Sequence, residues 1–122
     1  MALPWVRLDT SLFDHPKFLG LFSLNQHRSA LVYIAGMAYA GKHGTDGFVP
    51  REALSLLQGR QSDAKALIEA GLWTECAGGW DIHGWDDYQV SDEASKARRD
   101  KAKHAAAIRW SKREVKLQAV RK

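Results

Sequence analysis

The spacing of hydrophobic and polar positions changes several times along the chain, and each change marks an element. Trp5-Val6-Arg7-Leu8-Asp9 alternates apolar with polar side chains and reads as a short extended segment laid against a core. Between Phe13 and Leu21, Pro16 suits a first helical position and Asp14 or His15 the cap before it, which predicts a short helix ending near Leu21 or Phe22. Ser23 or Asn25 can cap a second helix, along which Ala30, Leu31, Ile34, Met37, Ala38 and Gly41 recur at three- and four-residue intervals as a core-facing stripe. Gly41-Lys42-His43-Gly44-Thr45-Asp46-Gly47 is dense in residues that tolerate positive φ and breaks that helix.

Phe48-Val49 adds a minimal strand, and Pro50 opens a third helix through Leu57 with Leu54 and Leu57 inward and Gly59 at its end. Ser62 caps a fourth helix with Ala64, Leu67, Ile68 and Leu72 on its apolar face, and Gly71 falls where a left-handed residue is wanted. The few residues between these two helices give helix-turn-helix spacing. Trp73-Thr74-Glu75-Cys76-Ala77 and Trp80-Asp81-Ile82-His83 then flank Gly78-Gly79, a two-residue hairpin loop, so the hairpin is a wing. After Trp85-Asp86-Asp87-Tyr88-Gln89, Ser91 can cap a long helix rich in Ala, Lys and Arg. The expected fold is mainly α with a small β-hairpin: a winged helix-turn-helix over residues 1–90, followed by a basic C-terminal helix over 91–122 that is exposed to solvent and frayed past Trp110.

Charge divides the chain at the same place. Residues 1–90 carry seven Lys/Arg against ten Asp/Glu, a net of −3, whereas residues 91–122 carry eleven against four, a net of +7. Such asymmetry points to a polyanionic partner for the basic end, nucleic acid before anionic membrane. The longest apolar candidate, Ala30 to Gly41, falls well short of the ~20 residues of a membrane span, and the N-terminus lacks the pattern of a signal peptide. Cys76 is the single cysteine, which excludes an intrachain disulfide and a cysteine-built zinc site. A cytoplasmic setting is expected.

In a helix-turn-helix the second helix presents its N-terminal residues to base edges. Here these are Arg60, Gln61, Ser62 and Lys65, of which Arg and Gln suit guanine and adenine, while Asp63 and Glu69 lie on or near the exposed face and oppose phosphate. The predicted wing carries no Lys or Arg. In the tail, Arg98, Arg99, Lys101, Lys103, Arg109, Lys112, Arg113 and Lys116 are spread around the helix, and each phosphate they neutralise adds sequence-independent affinity. A solvated tail that only aids solubility is the simpler alternative.

Other candidates weigh less. Asp81, His83, Asp86 and Asp87 lie within seven residues but lack a further ligand at recognisable spacing, so no metal site is expected. His15 reads as a helix-entry residue, and Cys76 as a packed small side chain with no base beside it in sequence. The glycines at 41, 44 and 47 lack the Gly-Lys-Ser/Thr of a phosphate loop. Trp73, Trp80, Trp85 and Tyr88 suit core packing better than base stacking, because no basic residue accompanies them.

The segments Trp5-Val6-Arg7-Leu8-Asp9, Asp14-His15-Pro16-Lys17, Gly47-Phe48-Val49-Pro50, Glu69-Ala70-Gly71-Leu72-Trp73, Gly79-Trp80-Asp81-Ile82-His83 and Trp85-Asp86-Asp87-Tyr88-Gln89 together resemble small winged-helix proteins of actinobacterial phages and prophages. Ala106-Ala107-Ile108-Arg109-Trp110 extends the likeness into the tail. Related domains stand at the amino terminus of phage replisome-organizer proteins, whose second folded domain this sequence lacks. The resemblance implies non-enzymatic binding of double-stranded DNA, in replication initiation or transcriptional regulation, without a cofactor. A homodimer joined through the tail helix or the first helix would match two half-sites. Two other readings stand beside this one: an interaction module whose acidic winged domain docks on a host or replisome protein, and an enzyme, for which no convergent catalytic set is visible.

Overall fold

The computed structural model describes residues 2–89 and 93–121. Helix α1 (Pro16–Ser23) starts where Pro16 fixes φ, and the His15 imidazole Nδ1 accepts the Lys17 backbone N–H at 3.2 Å as its cap. Helix α2 (His27–His43) begins after Gln26, not at a Ser23 or Asn25 cap, because Asn25 takes the left-handed conformation (φ 58°) that turns the chain between the two helices. Its buried face is Ser29, Ala30, Val32, Tyr33, Gly36, Met37, Ala40 and Gly41. The predicted stripe is therefore rotated: Val32 and Tyr33 point inward and Leu31 outward, 64% exposed. α2 also runs on through Gly41 to a left-handed Gly44.

A three-stranded antiparallel sheet follows, in the order β1-β3-β2, from β1 (Phe48–Pro50), β2 (Trp73–Cys76) and β3 (Gly79–Ile82). Pro50 is the last residue of β1, opposite Gly79, and does not open a helix. Residues 51–53 form a 3₁₀ turn, and further turns lead to Gln58 at φ 60°. With Pro50 held in the sheet and Gln58 turned left-handed, this short stretch buries Leu54 and Leu57 without a regular α-helix. Helix α3 (Gln61–Glu69) follows, and Gly71 has positive φ as expected. The β2-β3 turn is Ala77-Gly78, one residue earlier than predicted, since Gly79 pairs with both Cys76 and Pro50.

The register gives the sheet two apolar faces. Val49, Trp73, Trp80 and Ile82 join the main core with α1, α2 and α3, and the two indoles stack at 5.2 Å. Phe48 points the other way, as does Asp81 opposite it, towards helix α5 (Glu93–Arg121). Phe48 is nonetheless fully buried, because α5 packs across β1 and β3 and buries Ala106 there. The expectation of a solvent-exposed tail therefore fails for the part of α5 around Ala106. A short helix α4 (Trp85–Tyr88) follows β3, and the Ser91 cap lies outside the described residues. The N-terminal arm is fastened by the Gln89 side chain, which accepts the Arg7 N–H and donates to the Arg7 carbonyl, both at 2.7 Å.

Candidate nucleic-acid interface

α3 begins two residues before the expected Ser62 cap would allow. Arg60 is the N-cap, and Asp63, at the third helical position, accepts the Arg60 N–H at 2.8 Å. Asp63 is buried, not exposed. It also accepts from the Ser29 hydroxyl at 2.8 Å and from Arg28 Nε at 2.9 Å. Burial alone would raise its pKa, but the Arg60 N–H, the Ser29 hydroxyl and the Arg28 guanidinium outweigh it and hold the carboxyl below the usual range. The acid expected to repel phosphate is thus an ionised carboxylate turned inward and paired with Arg28. Arg60, Gln61, Ser62 and Lys65 remain exposed, and so does Glu69.

The eight basic tail residues divide by their surroundings. Lys103 Nζ donates to Asp81 at 2.6 Å, Arg99 reaches the same carboxylate at 3.5 Å, and Arg98 Nε donates to the Gly44 carbonyl at 3.2 Å. Burial alone would lower the pKa of Arg99, but Asp81 and Asp46 raise it above its ordinary value, so its charge is fixed. These three residues anchor the helix. Arg109 pairs with Glu52 while staying more than half exposed, and Lys101, Lys112, Arg113 and Lys116 are exposed.

Two residues that sequence reasoning passed over join these parts. The Arg51 guanidinium lies between Trp80 (5.2 Å) and Trp110 (4.8 Å) and pairs with Glu75 at 2.7 Å. The result is a depression of about 240 Å³ lined by Arg51, Glu52, Gln61, Arg109, Trp110 and Arg113 among others. The first turn of α3 and the start of the outer half of α5 thereby become neighbours. A second groove, between α3 and the hairpin, is lined by Gln61, Lys65, Glu69 and Glu75 with Arg51 and Trp80. The signal for Trp110 lay in the small residues before it: Ala105, Ala106 and Ala107 permit close approach to a glycine turn.

The remaining candidates are accounted for by their contacts. Trp73, Trp80 and Trp85 are buried, and the Tyr88 side chain lies outside the described residues. Burial raises the Cys76 pKa and Asp81 adds to the effect, which keeps the thiol protonated at neutral pH. Asp81 is committed to Lys103 and Arg99, and among the described residues no group of three or more His, Cys, Asp or Glu is placed to hold a metal. No described helix is long and apolar enough to cross a membrane. No protein-family model matches the chain, and no match to it was found among the curated proteins or the solved structures.

Proposed function

We propose that the chain is a non-enzymatic protein that binds double-stranded DNA, a winged helix-turn-helix in which α3 enters the major groove and α5 neutralises backbone phosphates. The observation that carries this reading is the shared depression in which Gln61 of α3 stands with Arg109 and Arg113 of α5. A residue type that reads adenine is thus set beside the exposed guanidinium of Arg113 and that of Arg109, which a phosphate would take over from Glu52. Asp63, in the first turn of α3, is buried and paired with Arg28, so its carboxylate does not face the surface there. The likeness to small phage proteins adds replication initiation or transcriptional control as the setting.

The test is binding of a fluorescent duplex by the full chain across a salt series. The logarithm of affinity should fall steeply with the logarithm of salt concentration. Replacing Arg109, Lys112, Arg113 and Lys116 together by Ala should lower that slope by ~3–4, at about 0.9 for each phosphate no longer neutralised. An Arg60→Ala/Lys65→Ala variant should lose sequence preference, and its slope should fall by about two. Absence of binding at low salt would remove the reading. It would favour docking on a replisome or host protein, for which Leu24, Leu31 and Leu56, each 64–71% exposed, supply apolar surface.

A further inference from the structure

We infer that the hairpin is a bracket that holds α5, not a reader of DNA, so that the DNA-facing surface is the first turn of α3 together with α5 from Arg109 onward, with Gly78 of the turn on the floor between them. This rests on the duplex-binding reading above. The two indoles and both carboxylates of the hairpin are engaged by the protein itself. Trp73 and Trp80 are 1% exposed and stacked in the core. Glu75 is paired with Arg51, and Asp81 with Lys103 and Arg99.

One residue of the turn, Gly78, is covered by α5. A Cβ on Gly78 would lie 2.7 Å from the Ala106 Cβ and from the Ala107 backbone nitrogen, so turn and helix meet backbone to backbone. Gly78 also has φ +85°, so turn geometry and close approach both call for glycine there. A hairpin without Lys or Arg has no cationic side chain with which to neutralise a phosphate. What it does is fix the height and rotation of α5 at Ala106, one turn before Arg109 and two before Arg113, and so sets these side chains beside Gln61. Gly78 and Ala106 are positioning residues for the interface.

Two variants of the full chain test this on a fluorescent duplex across a salt series. Ala77 is exposed in the turn, and in a wing that faces DNA an Ala77→Lys side chain would neutralise one more phosphate, steepening the slope by ~0.9. The bracket predicts an unchanged slope. Ala106→Leu should wedge α5 off Gly78 and lower the slope by ~2, as Arg109→Ala/Arg113→Ala does, while Ala106→Ser retains the unsubstituted value. Near-ultraviolet circular dichroism from the Trp73–Trp80 stack reports whether the sheet has survived, and the Ala77→Lys result decides the matter if Ala106→Leu has unfolded. A steeper slope for Ala77→Lys, or a folded Ala106→Leu with an unchanged slope, overturns the inference alone. No duplex binding by the unsubstituted chain overturns it together with the reading on which it rests.

Discussion

Asp81 of the hairpin and Lys103 of α5 meet at 2.6 Å on the sheet face that also carries Phe48, so the helix expected to be an appendage closes a second, smaller core. Both side chains are about three-quarters buried, so the cost of desolvating the two charges offsets much of what their pairing contributes. The covered apolar surface contributes more.

Ending the chain before Glu93 should therefore destabilise what remains. Exposing Phe48 alone costs about 1.5–3 kcal/mol, and Ala106 and the anchoring ion pairs are lost with it. Urea unfolding of the shortened chain should show a lower midpoint, together with binding of a hydrophobic dye that the full chain does not take up. An unchanged midpoint would mean that α5 is not part of the folded unit.

Asp63 sets an acid limit on stability. Its folded-state pKa lies below the unfolded value of about 3.9, so its stabilisation is fully present above that value and is lost as pH falls through the folded pKa. Asp63→Asn should lower unfolding free energy by about 1–2 kcal/mol at pH 7, as it removes charge-assisted bonds to Arg28 and Ser29. The gap between the two proteins should begin to narrow below about pH 4 and close only once the pH has fallen past the folded-state pKa. A gap independent of pH would show that the ionised form is not what matters.

Gly47→Ala should be more damaging than a loop substitution ordinarily is. Gly47 has φ +87°, and a Cβ there would lie 2.8 Å from the Trp85 Cβ and Cγ. Left-handed strain of ~1–2 kcal/mol and overpacking of ~1–3 kcal/mol add to roughly 2–5 kcal/mol, measurable by thermal or urea unfolding.

Gln61→Ala separates base reading from charge. On the proposed function it should reduce discrimination at one base pair by about 1–3 kcal/mol and leave the salt slope unchanged. A change in slope without a change in preference would assign the side chain to phosphate.

Much of this architecture was legible in the sequence because its signals were local. Pro16, Gly71 and the alternation around Trp73 and Trp80 act within a few residues, and α1, the end of α3 and the hairpin follow from them. The failures have long-range causes. Pro50 looked like a helix opener, but pairing with Gly79 keeps it in the sheet. Asp63 looked like an exposed charge, but Ser29 and Arg28 from α2 enclose it. The basic residues of α5 looked equivalent, and only the contacts with Asp81, Gly44 and Glu52 sort them into anchors and exposed cations.

The burial of Phe48 by a helix that starts at Glu93 also bears on how the protein is made. Synthesis proceeds from the N-terminus, so β1 leaves the ribosome long before the segment that covers its outer face. Until that segment arrives, an aromatic side chain on a sheet edge is open to other chains, which is the circumstance in which nascent proteins aggregate. Closure between such distant segments is slow compared with local helix formation. The same late event brings Arg109 and Arg113 to Gln61, so on the proposed reading base reading and phosphate binding are joined in one surface only at the moment the molecule finishes folding.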